Sequence, residues 1–464
     1  MENQKEKKQS RAPHLLAFVI GLLLLASLLT YIVPAGQFSV GENGMIDGSS
    51  FAFLDKQTPV NPWEALMAIA TGFINSANII VIILALGGVT VVFLSTKRLD
   101  NLLDVSIARL QGKGIDVLVP LLTLAFIIYG FLCGGDWAIT LVPIGCMIAR
   151  KLKCDPVLGA SFILISVICS SVFGPMTGAF YGQLLMGVPL YSGFGTRILL
   201  LIPIWLFTMF YLWRYAKRVA KDPTKSALGN TDWLNTNYDN VEIKDTKASS
   251  KDFLVTILFV AQTIGSAVLI AIFRKDMTII VPLSIIFALL IGLVHGYRIN
   301  QICEIFAKGI QSVAFIGFII GAAGGINVVL SKGNIIHTII HYAVLPLQNV
   351  KTGFALIGIA FIITLINIII PSMTAKAAVI CPLLGPMCDA LGIHRQAGIV
   401  AFTVGDGVTN MISPALGMLI GGLEIAGVPY RKWLKFIMPY ILILLAYGYI
   451  VLFILAQIGW TGGV

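Results

Sequence analysis

Three charged residues, Asp136, Lys376 and Asp406, fall inside runs of chain that are otherwise almost wholly apolar. A charge at the centre of a membrane helix costs at least ~2.5–3.5 kcal/mol unless it is paired or hydrated, so such residues point to function by default. Each lies in a stretch that a regular helix would not choose: "CGGDW" for Asp136, "PSMTAK" for Lys376 and "GDGVTNMISPALG" for Asp406. The last puts Thr409, Asn410, Ser413, Pro414 and three glycines into the apolar segment running from about Gly398 to Leu423. Breaking a helix in lipid strands backbone N–H and C=O groups, at several kcal/mol each, unless protein or a water-filled cavity takes them up. Glycine and proline alone would be weak grounds, because kinks in membrane helices are often structural. The charges single these breaks out.

The chemistry open to such breaks is ligation. Unwound carbonyls and hydroxyls hold a cation, and half-helix N-termini face an anion. On that basis Asp136, Ser372, Thr374, Lys376, Asp406 and Asn410 are candidates for binding an organic solute. Ser170, Ser171, Gly174, Thr409 and Ser413 are candidates for holding Na⁺. H⁺ is the alternative coupling ion, with Asp136 or Asp406 as its carrier. No other cofactor is expected.

These residues need a membrane fold to position them. The chain has 464 residues, 57% hydrophobic and only 12% charged, with a mean hydropathy of +0.91. Soluble domains carry roughly 25% charged residues. Runs 14–34, 252–273, 277–296 and 436–457 reach the ~20 apolar residues that span a bilayer. The net charge of +10 and pI of about 9.2 do not indicate a nucleic-acid partner, because the basic residues are clustered. They fall at Lys5 to Arg11, Lys97 to Lys113, Arg150 to Lys153, Arg214 to Lys251, Arg298 and Arg431 to Lys435. The positive-inside rule reads these as cytoplasmic loops. The loop Gly36 to Asn61, with Glu42, Asp47 and Asp55 against one lysine, reads as external. Seven cysteines in or beside apolar segments argue against a disulfide framework. The first apolar run is longer than a usual signal-peptide core and no A-x-A site closes it, so it is expected to stay as a span.

Internal repetition orders the rest. Pro143 and Pro382 lie 239 residues apart, as do Ala138 and Ala377, Leu152 and Leu391, Pro175 and Pro414, and Gly178 and Gly417. A separation of 236 pairs Ser76 with Ser312 and Gly88 with Gly324. Charge counting then gives a first repeat over 1–215 with a cytoplasmic-side hairpin at about 116–150, a cytoplasmic linker 216–251 and a connecting span 252–276. A second repeat over 277–464 has an external-side hairpin at about 353–391. The expected fold is an all-α integral membrane protein of about nine transmembrane helices plus two opposed re-entrant hairpins, an inverted-topology repeat. The N-terminus is cytoplasmic, the C-terminus external, and four interruptions meet in one cavity. That is the architecture of secondary transporters rather than of enzymes.

Other chemistry is weakly supported. "HTIIH" spaces His337 and His341 four apart but lacks the glutamate of H-E-x-x-H, which places both on the polar face of an interfacial helix. There is no phosphate-binding G-x-x-x-x-G-K-[ST] loop. Gly321, Gly324 and Gly325 read as close helix packing. Glu424, Arg150 and Arg197 lie near segment ends and read as interfacial.

The segment "IPSMTAKAAVICPLLGPMCDALGIHRQAGIVAFTVGDGVTNMISPALGMLIGGLEIAGVPYRKWLKFIMP" strongly resembles the C-terminal half of the YfcC group. That group belongs to the DcuC-type C4-dicarboxylate carrier family of the ion transporter superfamily. "VPLYSGFGTRI" resembles the end of that family's first half, and the likeness runs from about Pro13 onward. It implies a carrier of the inner membrane, dimeric, with a scaffold domain and a moving domain holding both hairpins. Ser372, Thr374 and Lys376 stand where the family has its second hairpin tip, whereas "GGDWA" departs from the adjacent acidic residues that relatives carry at the first. The YfcC group is described as basic amino-acid antiporters, and the wider family name says dicarboxylates.

One lysine against two aspartates suits an amino acid, a basic one best, above a C4-dicarboxylate. A channel or a membrane-embedded enzyme is the alternative class. Antiport and cation-coupled symport both fit. The topology has a direct test. Single cysteines at Lys153 and His394, in a background lacking the native seven, are expected to label from opposite faces of the membrane. Labelling of both from one face would end the inverted reading.

Overall fold

The computed structural model describes residues 15–39, 50–110, 113–133, 136–174, 178–229, 231, 233, 248–273, 277–345, 350, 352–370 and 372–463. The chain is helical almost throughout. Helix α1 (Leu15–Ile32) leads into a two-stranded antiparallel ribbon, β1 (Gly36–Gln37) with β2 (Ala52–Phe53). The first half continues with α2 (Pro62–Ser95), α3 (Arg98–Arg109), α4 (Gly114–Cys133), a 3₁₀ turn Asp136–Leu141, α5 (Val142–Lys151), α6 (Pro156–Ser171), α7 (Gly178–Leu185) and α8 (Phe194–Lys221). Helix α9 (Ser250–Phe273) connects to the second half. That half comprises α10 (Ile280–His295), α11 (Ile299–Lys332), α12 (Ile336–Val344), α13 (Thr352–Ile369), α14 (Met373–Ala390), α15 (Arg395–Thr409), α16 (Gly417–Ala426) and α17 (Tyr430–Gln457).

The halves correspond element by element, and equivalent helices run in opposite directions. Helices α2 and α11 are both 34 residues long. Gly72 of α2 lies against Gly321 to Gly325 of α11, Gly317 against Ile80, and Gly87 and Gly88 against Gly309. Position rises on one helix as it falls on the other, so the pair is antiparallel. The glycines permit the contact: a methyl group on Gly72 would come 2.3 Å from the Gly325 nitrogen and 2.4 Å from the Gly321 oxygen. Small residues let membrane helices approach closely, where van der Waals packing rather than the hydrophobic effect drives association. Helices α8 and α17, each 28 residues, are also antiparallel. Tyr447 Oη donates to the Leu200 carbonyl at 2.8 Å, Thr208 meets Tyr440 at 2.6 Å, and Tyr215 packs on Phe436. An inverted repeat produces this relation between equivalents, and a parallel repeat would not.

The apolar runs at 77–96 and 312–330 are shorter than the helices that contain them: α2 begins at Pro62 and α11 at Ile299. At ~1.5 Å per residue each exceeds a ~30 Å hydrocarbon layer by some ~20 Å. Apolar runs mark only the part in lipid. The local signal for the α2 start was Asn61 before Pro62, the asparagine side chain accepting from the Glu64 amide at 2.9 Å. The histidines of "HTIIH" are half-buried on α12 and hold the ribbon. His337 Nδ1 accepts from the Phe38 amide at 3.1 Å, and the His341 ring stacks on Phe51 at 4.0 Å. Among the described residues no group of three or more His, Cys, Asp or Glu gathers as a metal site.

Each half also has a helix–turn–helix pair, α4 with α5 and α13 with α14. In the first, the outer ends meet: a methyl on Gly114 would lie 3.3 Å from Leu152 Cδ2. The basic end of the molecule is fastened by ion pairs, Arg98 to Asp252 at 2.8 Å, Lys151 to Asp104 at 2.6 Å and Lys217 to Asp116 at 2.7 Å. At that end Asp155 caps α6, accepting from the Leu158 amide at 3.1 Å and from the hydroxyls of Tyr215 and Ser226. Elsewhere large apolar side chains face outward, such as Leu199 at 67% and Ile443 at 51% exposed. Five of the described helices, those containing Pro62–Ser95, Gly114–Phe131, Phe194–Lys221, Ile299–Lys332 and Tyr430–Gln457, are long and apolar enough to cross a bilayer. The protein is a multi-pass, all-α membrane protein.

The α2–α11 contact is the test of this packing. Gly72→Leu is expected to destabilise the protein by at least the ~1–3 kcal/mol of ordinary overpacking, because the obstructing atoms are backbone and cannot yield. Gly265→Leu, at a position with no atom within 4 Å of an added Cβ, is the control. Equal melting temperatures for the two variants would contradict the close approach.

Candidate functional site

The broken helices cross between the two helix–turn–helix pairs. Helix α6 gives way to α7 after Ser171, and α15 gives way to α16 after Thr409. The pieces exchange neighbours: α7 packs on α14 and α15 of the second half, while α16 packs on α5, α6 and the 3₁₀ turn of the first. Gly407 faces Val172, a methyl there reaching within 2.5 Å of its Cγ2, and Gly178 faces Met373 and Thr403. Among the described residues the place of the expected cavity is a filled crossing in this conformation. Val172, Phe173, Phe402 and Val408 are each at most 1% exposed.

At the crossing sits a buried ion pair, Lys376 Nζ to Asp406 Oδ1 at 2.5 Å. Lys376 is 1% and Asp406 5% exposed. The pair is close in distance but poorly aligned, since Asp406 Oδ1 has no partner by hydrogen-bond geometry. The lysine donates instead to Asn367 Oδ1. Asn367, at the end of α13, is the hub: its Nδ2 reaches the Asp406 carbonyl at 2.7 Å, Asn410 Oδ1 at 2.8 Å and Thr409 Oγ1 at 2.9 Å. Two amide hydrogens serve three oxygens, so at least one is shared. The amide orientation follows from charge, because the flipped form would turn an NH₂ group on the ammonium.

Helix ends give this pair a direction. Lys376 lies in the first turn of α14 and Asp406 in the last turn of α15. A helix N-terminus is the positive end of its macrodipole and a C-terminus the negative end. Each charge therefore adds to the dipole of its own helix. The result is a positive pole on α14 facing a negative pole on α15.

The unwound segment after α15 is satisfied by α17. Trp433 Nε1 donates to the Met411 carbonyl at 2.9 Å and Tyr430 Oη to that of Ile412 at 2.5 Å. Those aromatic residues sit in "YRKWLK", which the charge pattern presented only as a basic loop. They give two carbonyls of the break side-chain donors in place of helical ones.

The candidate residues divide accordingly. Lys376, Asp406, Asn410 and Thr409 come together through Asn367. Ser372 is half-buried one turn before Lys376, its carbonyl accepting the Lys376 amide at 3.1 Å. Ser413 is fully buried on the unwound segment, and its hydroxyl has no partner. In the first half Ser170 and Ser171 donate back to the Val167 and Ile168 carbonyls at 3.0 and 2.8 Å. Gly174 packs against Phe131 of α4. Asp136 opens the 3₁₀ turn, but its side chain, like that of Thr374, lies outside the described residues, as do Gly134, Gly135 and 175–177. Arg197 corrects an expectation. It is not interfacial but 1% exposed, in the first turns of α8, whereas Glu424 is exposed and Arg150 half-buried. Asn367 was overlooked. Its only signal was a lone amide in "FIITLINIII" ahead of the tip.

Antiparallel related halves, each with a discontinuous helix, crossing at a buried ion pair inside a lipid-facing shell, define a membrane transporter. The chain belongs to the DcuC family, described as C4-dicarboxylate anaerobic carriers, whose family model matches residues 12–457. It is a member of a transport family and not an enzyme. It is similar, at 23% identity over 93% of this chain and 94% of the relative, to the Escherichia coli K12 protein named "Putative basic amino acid antiporter YfcC". An uncharacterized protein of Haemophilus influenzae is 22% identical over 97% of this chain and 98% of its own length. Among solved structures, the Alcanivorax borkumensis YdaH transporter aligns with 97% of this chain and 100% of its own at a TM-score of 0.48 and 16% identity. The Neisseria gonorrhoeae efflux pump MtrF aligns with 97% of this chain and 96% of its own at 0.42 and 15%.

Removing one partner of a buried ion pair costs about 3–5 kcal/mol, whereas replacing both by apolar groups is often near neutral. Asp406→Asn and Lys376→Met are each expected to lower the melting temperature in detergent. The double variant Lys376→Met/Asp406→Leu is expected to recover most of the loss while abolishing solute-induced stabilisation. Additive losses in the double variant would show that the two charges are not coupled.

Proposed function

We propose that this protein is a secondary carrier for an amino acid, a basic one such as arginine or ornithine. It works by opening the filled crossing alternately to either face of the membrane. The observation that carries the substrate reading is the polarity of the Lys376–Asp406 pair along its two helix ends. A zwitterion can replace the internal pair charge for charge, its carboxylate against Lys376 and the α14 N-terminus, its ammonium against Asp406 and the α15 C-terminus. Asn367 and Asn410 then supply amide hydrogen bonds to the same solute, and Ser372 and Thr374 are the hydroxyl candidates of that tip. Asp136 at the other tip is the group for a second positive charge. The name of the Escherichia coli relative, a basic amino acid antiporter, supports this reading.

A C4-dicarboxylate is the second reading, favoured by the family description. A dianion has no counterpart for Asp406 unless that residue is protonated or a cation enters with it. Coupling therefore follows the substrate. Exchange of one amino acid for another needs no further ion, whereas symport draws on a proton at Asp406 or on Na⁺ among the oxygens of Ser170, Ser171, Gly174, Thr409 and Ser413. In the membrane we place the basic end, with Lys153 and the linker 216–251, in the cytoplasm. Residues 36–61 and His394 are then external.

The deciding measurement is counterflow in proteoliposomes preloaded with arginine, ornithine, succinate or malate. Arginine or ornithine is expected to drive uptake of its labelled form, with saturation and trans-stimulation. Exchange of succinate or malate with no response to any amino acid would sink the amino-acid reading, and flux without saturation would point to a channel.

A further inference from the structure

Among the described residues Arg197 is the largest charged side chain that is buried, and it takes part in no ion pair. Its Nη1 donates one long hydrogen bond, 3.4 Å, to the Phe173 carbonyl, and its Nε and Nη2 have no partner among the described residues. Arginine does not lose its proton in proteins, so neutralisation is not an escape. A buried charge left without a counter-charge is among the costliest features a fold can keep.

Its position connects it to the crossing. Phe173 belongs to the break between α6 and α7, and the preceding residue, Val172, packs on Gly407, the chain neighbour of Asp406. Arg197 also lies one turn into α8, whose positive N-terminal end begins at Phe194. Among the described side chains the charges around the crossing are thus unequal in their compensation: Lys376 and Asp406 neutralise each other, and Arg197 has no counter-ion. Its free Nε and Nη2 lie on one edge of the guanidinium, the edge that binds a carboxylate through two parallel hydrogen bonds.

We propose that Arg197 receives a carboxylate of the transported solute, facing it across the crossing from the Lys376–Asp406 pair. This rests on the carrier reading above and refines it. Arg197 and Lys376 then hold the carboxylate between them, and Asp406, its partner Lys376 drawn to the solute, is released for the ammonium. The same role holds for either solute class, because both carry a carboxylate.

The test compares each solute with an analogue lacking that group, arginine with agmatine and succinate with succinamide, in wild type, Arg197→Met and Arg197→Lys. Half-saturation is read by counterflow competition on the full chain. In Arg197→Met the carboxylate solute is expected to weaken by about 30-fold or more, the loss typical of truncating one partner of a buried charge pair. The carboxylate-free analogue, a weak competitor in wild type, is expected to change little, and Arg197→Lys to fall between. Wild-type half-saturation in Arg197→Met, or equal losses for solute and analogue, would overturn the proposal. Should Arg197→Met fail to fold, Arg197→Lys decides, since it keeps the charge and loses the fork; unchanged half-saturation there overturns it. The wild-type solute profile tests the amino-acid reading separately. A protein that exchanges succinate fails that reading and leaves the succinate–succinamide comparison to judge Arg197.

Discussion

Lys376 and Asp406 are retained as charges inside a lipid-facing fold because each is the other's counter-ion, with Asn367 accepting from Lys376 and holding the Asp406 backbone carbonyl. Low dielectric makes an unpaired charge costly there, and it makes a paired one strongly directional. Much of the surrounding architecture follows from keeping that pair together. Helix α13 must end where Asn367 reaches it, α14 must begin just before Lys376, and α15 must stop just after Asp406. The breaks in α6 and α15 are accordingly the places where two halves of a repeat meet.

Backbone satisfaction is the second constraint. A helix interrupted in lipid needs donors for its free carbonyls, and the second break takes them from Trp433 and Tyr430 on α17. These groups are supplied by protein, so the break is stable when closed. The long antiparallel pair α2 and α11, held by glycine contacts along its length, forms a contrasting continuous unit. Discontinuous helices beside a continuous pair provide what alternating access requires, a part that can rock and a part that need not.

The basic end and the opposite end are built differently. Ion pairs such as Arg98–Asp252 and Lys151–Asp104 fasten the loops at one end. At the other, Arg395 binds Asp389 through both carboxylate oxygens and donates to the Met186 carbonyl at 2.7 Å, tying α14 to the segment after α7. An exposed pair such as Arg395–Asp389 contributes little stability by itself, and its effect is to fix which segments lie together.

From sequence alone came the membrane class, the repeat, its inverted sense, the positions of the breaks and the charges that mark them. All of these depend on local composition or on charge counted along the chain, and lipid enforces such patterns strictly. Tertiary structure decided what a one-dimensional pattern does not hold. Lys376 and Asp406, thirty residues apart and separately assigned to solute, proved to be one pair. Asn367 looked like an incidental amide in an apolar run, and Arg197 looked interfacial because it lies near a segment end. Apolar runs also stopped short of the true starts of α2 and α11, since hydropathy records the depth of lipid and not the length of a helix. Counter-ions, carbonyl partners and burial are properties of what packs alongside, and only the folded helices bring Lys376 to Asn367 and Asp406, or Trp433 to Met411, within reach.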